Sequence, residues 1–468
     1  MKKLLRIGLR LLGVLVLLLL IVVFVSVEKI ETDPYFESQY YENTQARLAD
    51  IKTNLNLETA PLEVGFAAID ITPKLTEGPE NPLSGSFKQV RLAGYGDGQM
   101  ATGTHDSLMA KATALKVGAE VTILVSGDLL LIPENVVDNI MERLRETSGI
   151  KREQLFFGAT HTHASIGNIV PGYIGKQFGG DYQEGMVDWL GQQFSKVILA
   201  ALDDLKPSKM GYGHTKIPQL IRNRIIGETG RLHDQLDVVR LEQIGGKKGI
   251  IGIFGAHATS ISTWNSEFSG DYPGAYQRAL LQKGWDHSQF FAGTVGSHSN
   301  KGEGKRFEKI ERMAQILADS TQRIALRTPL DSLVTSARIS LPLEIPKIQA
   351  IKIADSYRLA PWLANKIMPE RKAHYLQALR LNGLIWHTSP VELSGEFGID
   401  MNNALENAGY SSVITSFNGQ YLGYSVPGKY YYYDTYETAL MGWFGPSMGE
   451  YIMELNYSLA NLLTESRH

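Results

Sequence analysis

Twice in this 468-residue chain, an apolar run of strand length empties into small residues and histidine. Leu155-Phe156-Phe157-Gly158-Ala159 leads into Thr160-His161-Thr162-His163, and Ile250 to Phe254 leads into Gly255-Ala256-His257. The loop after a strand sits at its C-terminal end, which is where α/β sheets gather their sites. In extended backbone, residues i and i+2 share a face, so His161 and His163 address one neighbourhood. Neutral imidazole is also the commonest metal ligand. His257 is therefore a third potential ligand, also at the C-terminal end of a strand.

The rest of the chain supports such a sheet. From Val64 onward, strand and helix patterns alternate. Val64 to Ile71 reads as a strand that stops at Thr72-Pro73, and Val121 to Ser126 as a buried strand running into Gly127-Asp128. Pro133 opens a helix whose stripe is Val136, Val137, Ile140, Met141 and Leu144, and Gly149 closes it. Leu236 to Leu241 and Ile250 to Phe254 read as paired strands, and Phe290 to Val295 as another. Helices are predicted from Glu303 to about Ile324 and from Ile351 to Leu381, the latter with an apolar centre at Ala360-Pro361-Trp362-Leu363. The fold class is therefore α/β, with mixed β-sheets flanked by helices in one large catalytic domain over residues 61–468.

The first 60 residues differ in kind. Lys2, Lys3, Arg6 and Arg10 accompany an apolar run that is free of charge from Leu11 to Val27, long enough to reach the roughly 20 residues of a transmembrane helix. Positive charge on the N-terminal side predicts a cytoplasmic N-terminus and an exported remainder. Val25-Ser26-Val27 is a poor cleavage site, so residues 1–28 read as a signal anchor rather than a removed signal peptide. Residues 29–60, polar and rich in Tyr, Glu and Asn, read as a stalk or docking helix.

The chain has no cysteine, which removes disulfides, thiol nucleophiles and thiolate ligands together. Any metal must then be held by His, Asp, Glu or Tyr. A formal net charge of -3 with interspersed signs gives no reason to expect nucleic acid as a partner.

Several segments, taken in order, resemble the neutral/alkaline ceramidase family. They are Gly65 to Pro73, Leu92-Ala93-Gly94-Tyr95, Val125-Ser126-Gly127-Asp128, the Thr-His-Thr-His segment, Ala256 to Ser260 with Ser269-Gly270-Asp271, and Gly395-Glu396-Phe397. The resemblance implies a Zn²⁺ amidase, working outside the cytosol on the N-acyl bond of ceramide or a ceramide-like lipid. It implies zinc ligation by His161, His257, Glu396 and Tyr424. It also implies His163 as acid/base, Arg224 and Tyr436 at the carbonyl oxygen, and Ser299 close to the metal. The expected partners are a lipid or other N-acyl substrate and the membrane that holds the anchor.

Departures bear on substrate. The family's Ser-Gly-Pro after the histidines is Ala164-Ser165-Ile166 here, its Ser after Asn-Arg is Ile225, and an Asp and a Pro around Ser299 give way to Ser297 and Asn300. The family's C-terminal immunoglobulin-like domain has no counterpart after Leu463. A zinc amidohydrolase for another N-acyl substrate and a membrane-anchored, non-catalytic binding protein are the alternatives. Gly445-Pro446-Ser447-Met448-Gly449 has the G-x-S-x-G form, but only His468 follows it, so the serine-hydrolase order of nucleophile, acid and His is not met. An amidohydrolase barrel also uses H-x-H, but Glu396 and Tyr424 suit it poorly.

Overall fold

The computed structural model describes residues 2–96, 99–261, 265–368 and 374–465. Its centre is a branched, twelve-stranded mixed sheet. The strands are β2 (Glu58–Asp70), β3 (Met109–Val117), β4 (Glu120–Gly127), β5 (Leu155–Ala159), β6 (Lys206–Lys216), β7 (Gln235–Gln243), β8 (Lys248–Phe254), β9 (His287–Ala292), β10 (Leu333–Leu343), β13 (His374–Leu381), β14 (Leu384–Ser389) and β15 (Ser411–Ser416). Outside it lies a small three-stranded sheet of β1 (Val27–Lys29), β12 (Tyr357–Leu359) and β11 (Lys352–Ala354).

Three arms leave β2, and each ends in a parallel pair. One runs through β3 to β4 and β5, one through β6 and β7 to β8 and β9, and one through β10 and β13 to β14 and β15. The terminal strands β5, β9 and β15 pack against one another. Leu131, Ala159, Ala292, Val295 and Phe417, drawn from all three arm ends, form a small buried cluster of their own. The C-terminal ends of the arms therefore converge. Gly158 allows the close approach, because a Cβ there would lie 2.3 Å from the Phe291 ring.

Helices cover the arms. On the first lie α3 (Glu134–Thr147), with Val136, Val137, Ile140 and Leu144 buried, and α5 (Glu184–Asp203). On the second lie α6 (Asp271–Gln282) and α7 (Phe307–Arg327), and on the third α9 (Gly395–Asn407) and α10 (Met448–Thr464). The α7 helix begins later than the predicted Glu303 because Gly304 and Arg306 take positive φ, 92° and 55°. The predicted pairing of Leu236 to Leu241 with Ile250 to Phe254 is present and antiparallel, with Leu236 opposite Phe254.

The helix expected over Ile351 to Leu381 is not there, although residues 369–373 lie outside the described range. Lys352–Ala354 and Tyr357–Leu359 form a hairpin, Pro361 starts a separate seven-residue helix α8 (Pro361–Ile367), and His374–Leu381 pairs with strands on both sides. Sheet pairing, local within the hairpin and across Asn382-Gly383 and long-range to β1 and β10, outweighs the helical apolar periodicity.

At the N-terminus, α1 (Lys2–Ser26) is exposed from Lys3 to Val25 and is long and apolar enough to cross a membrane, as an anchor or as a signal sequence. Residues 29–60 do not stand off as a stalk. The helix α2 (Gln39–Asn54) packs on the third arm through Leu48, with Tyr40 and Tyr41 against Tyr451. The Tyr41 hydroxyl donates to Glu454 at 2.5 Å.

Candidate metal centre and active site

The three strand ends meet at His161, His163, His257 and Glu392. The histidine segment is not extended, however. His161 takes φ +61°, so it is this kink rather than strand alternation that brings the two imidazoles of His161 and His163 to 5.0 Å between ring centres. His161 stacks on Phe417 at 4.3 Å, and its Nδ1–H donates to the Leu130 carbonyl at 2.7 Å. A proton on Nδ1 leaves Nε2 as a lone pair, directed into the site. The Nε2 of His257 lies 2.8 Å away, while its Nδ1 is 3.4 Å from the Val295 carbonyl.

With the His257 proton on Nδ1, toward the Val295 carbonyl, its Nε2 would present a second lone pair to that of His161, an arrangement that a cation between them would relieve. Burial first, then Arg224, His161 and His163, hold the His257 pKa well below the ordinary imidazole range, so His257 is neutral. The carboxylate that completes the group is Glu392. Its Oε2 is 3.5 Å from His161 Nε2 and 3.7 Å from His257 Nδ1, and has no hydrogen bond among the described residues. Its Oε1 accepts from the Tyr421 hydroxyl at 2.7 Å. Buried, acceptor-only groups converging without a donor are what a cation site supplies. His161, His163 and His257 by themselves place ligand atoms within 4.8 Å of one another.

Tyr424 arrives through a two-residue parallel pairing in which Glu392 stands opposite Tyr424. Its phenol is pushed well above its usual range by burial and then by Glu392, with Arg224 opposing. Arg224 donates to the Tyr424 hydroxyl at 3.2 Å and pairs with Glu437 at 2.6 Å. Burial alone would lower the Arg224 pKa, but Tyr424 and Glu437 outweigh it and the guanidinium stays charged. Tyr436 packs edge-on against Tyr424 at 5.9 Å and is partly exposed.

His163 donates from Nδ1 to the Gly94 carbonyl at 3.1 Å, and its buried Nε2 has no hydrogen bond among the described residues. Burial, with His161 and Arg224 nearby, holds it neutral. Gly94 has φ +105°, and a Cβ there would come within 2.5 Å of the His163 ring.

Two expected site residues sit differently. Glu396 opens α9 and faces Lys429, Arg231 and Tyr430, where burial raises its pKa; it is Glu392, four residues earlier, that lies against the histidines. Ser299 is bridged to His257 through the backbone, but its hydroxyl accepts from Arg222 at 2.9 Å. Glu392, Tyr421 and Glu437 were not anticipated. The available signal for Glu392 was a third strand end, since Leu384 to Trp386 is another apolar run that leads to a potential ligand.

The group lies at the base of a cavity of about 180 Å³. His161, His163, Glu392, Tyr424 and Tyr436 line its polar end; Ile166, Ile174, Phe178, Ile348, Met368 and Trp443 are among its apolar walls.

Residues 80–304 match the family model described as neutral/alkaline non-lysosomal ceramidase, N-terminal. A neutral ceramidase of Oryza sativa subsp. japonica is 24% identical over 256 residues, a match that takes in 49% of this chain and 30% of that protein's length. The crystal structure of neutral ceramidase from Pseudomonas aeruginosa superposes with a TM-score of 0.72 at 19% identity, covering 86% of this chain and 74% of that one. A ceramidase complexed with C2 gives 0.69 at 18% identity, covering 86% and 75%. Over residues 80–304 the chain is similar in sequence to the neutral/alkaline non-lysosomal ceramidases, and over 86% of its length it shares the fold of the neutral ceramidase structure.

Proposed function

We propose that this protein is a zinc-dependent amidase that hydrolyses the N-acyl bond of ceramide or a ceramide-like lipid on the outer side of a membrane. The observation that carries the reading is the meeting of the His161 and His257 imidazoles and an unbonded Glu392 oxygen at the base of an apolar cavity. The names of the relatives point the same way.

His161, His257, Glu392 and Tyr424 would hold the metal, with Glu392 taking the place first expected for Glu396. Such a set, with no thiolate, suits zinc with a position left open. Zinc supplies Lewis acidity and brings the pKa of water from 15.7 to about 7.

The protein's own groups do the rest. The unbonded Nε2 of His163 receives the proton lost by the attacking water and returns it to the departing amine nitrogen. A C–O bond forms and the C–N bond breaks, giving a fatty acid and a sphingoid base. Arg224, held by Glu437, and the Tyr436 hydroxyl donate where the carbonyl oxygen gains negative charge. The apolar walls hold the acyl chain and exclude water. Lys2, Lys3, Arg6 and Arg10 keep the N-terminus of α1 in the cytoplasm, so α1 acts as an uncleaved signal anchor and the site faces outward.

Elemental analysis together with fatty-acid release from a short-chain fluorescent ceramide, on the wild-type protein and on His161→Ala, tests the reading. One zinc per chain, with release that disappears in the variant, supports it. Zinc without release points to another N-acyl substrate or to a binding protein, and absence of zinc overturns the site.

A further inference from the structure

The C-terminal end of α1 is clasped by the catalytic body. Ala360 N–H donates to the Ser26 carbonyl at 2.8 Å, and Trp362 Nε1–H to the Val25 carbonyl at 2.6 Å. These are carbonyls that a helix leaves unsatisfied at its end. Directly after them, Val27–Lys29 pairs residue by residue with Tyr357–Leu359. No linker separates the apolar helix from the fold.

The same short helix, α8, forms part of the cavity. Asn365, Ile367 and Met368 line it, and at 1.5 Å per residue they lie within about 10 Å of Trp362 along the axis. An adjacent wall is α4 (Gly172–Gly179), which gives Ile174 and Phe178 to the cavity and packs against α8.

On these two helices and on the hairpin that leads into α8, side chains suited to a lipid interface are exposed. Tyr173 on α4 is 58% exposed, Ile353 and Tyr357 on the hairpin beside β1 are 52% and 46% exposed, and Trp362 is 48% exposed. Lys366 stacks over the Trp362 ring at 5.1 Å, a cation beside an amphipathic ring as at membrane boundaries. Such a patch alone would not name its partner. The continuous connection to a helix of membrane-spanning length does.

We propose that the face carrying the cavity mouth rests on the lipid leaflet from which α1 emerges, so that an acyl chain passes from the bilayer into the cavity without crossing bulk water. The proposal rests on the reading of α1 as a retained anchor and does not require that the site be catalytic.

The absence of cysteine makes the test direct. Single cysteines are introduced by Tyr173→Cys, Ile353→Cys and Tyr357→Cys. A control is made by Ile244→Cys, whose exposed position precedes β8 at the end of the strand remote from His257. The full-length chain is labelled with bimane and reconstituted in phosphatidylcholine vesicles containing lipid with a nitroxide near the carbonyl. We expect quenching at two or more of the three rim positions to exceed that at Ile244 by at least threefold. Equal quenching in a chain that resists carbonate extraction would overturn the docked face while leaving the anchor in place. Release by carbonate would overturn the anchor reading, and the proposal with it.

Discussion

Glu392 and Tyr421 form a matched pair, in which the Tyr421 hydroxyl holds Oε1 at 2.7 Å and so leaves Oε2 turned toward His161 Nε2 at 3.5 Å. On this geometry we propose Glu392 as the carboxylate that serves the metal. Glu392→Gln is expected to lose bound metal and to lower amide hydrolysis by at least about 10²-fold, whereas Glu396→Gln retains metal. Elemental analysis of the two variants decides it, and the reverse ranking would restore Glu396 as the ligand.

Tyr421→Phe removes the hydrogen bond to Glu392, the proposed carboxylate ligand. Outer hydrogen bonds of this kind change metal affinity by roughly 10- to 100-fold. A loss of that size is expected in competition with a chelator, with the melting temperature of the metal-free protein little changed. Unaltered affinity would reduce Tyr421 to a packing role.

Arg224 uses separate nitrogens for Glu437 and for the Tyr424 hydroxyl. A lysine cannot reproduce that fork. Arg224→Lys should therefore lower kcat by about 10²- to 10³-fold with a smaller change in KM, in line with loss of an oxyanion donor. An effect confined to KM would make Arg224 a substrate-binding residue only.

Acid stability follows from histidines remote from the cavity. Burial holds His233, His287 and His387 at a pKa of about 3. Between their unfolded value of about 6.5 and that value, the unfolded chain binds protons that the folded chain does not. Their contribution is complete above pH 6.5 and falls as pH drops toward 3, by up to roughly 1.4 kcal/mol per pH unit for each residue. Urea unfolding from pH 7 to 4 should show this slope, and His233→Gln should make it shallower.

Asp237 acts in the opposite sense. Burial raises its pKa to about 7, against the hydrogen bonds from Tyr212 and Gln235. The folded chain here holds the extra proton, so this contribution is full below about pH 4 and is lost as pH rises through 7. Asp237→Asn, which stays neutral, should gain stability relative to wild type at pH 8 and little at pH 4. Equal differences at both pH values would show that the carboxylate does not titrate in this range.

The strand ends were the legible part of the sequence. Apolar runs that stop at Ala159 and Phe254 announced where His161, His163 and His257 would gather. The kink at His161 was not legible, because a positive φ at a non-glycine residue is imposed by its partners, here the Leu130 carbonyl and the Phe417 ring. Glu396 attracted attention through its neighbours Gly395 and Phe397. Glu392 depends on a two-residue pairing with Tyr424 across 32 positions of chain, which leaves no local periodicity. The hairpin and strand within residues 351–381 have long-range partners in β1 and β10, but the turn Asn382-Gly383 that joins β13 to β14 was a local signal for a strand there.

The hydrogen bonds from Trp362 and Ala360 to the last turn of α1 also set the dimensionality of the encounter. With that helix in a bilayer, the body cannot swing away on a tether; it travels as the helix travels, by lateral diffusion. Turnover would then follow the mole fraction of substrate within the leaflet, and diluting that lipid with inert neighbours would slow the reaction even at constant total concentration in the tube.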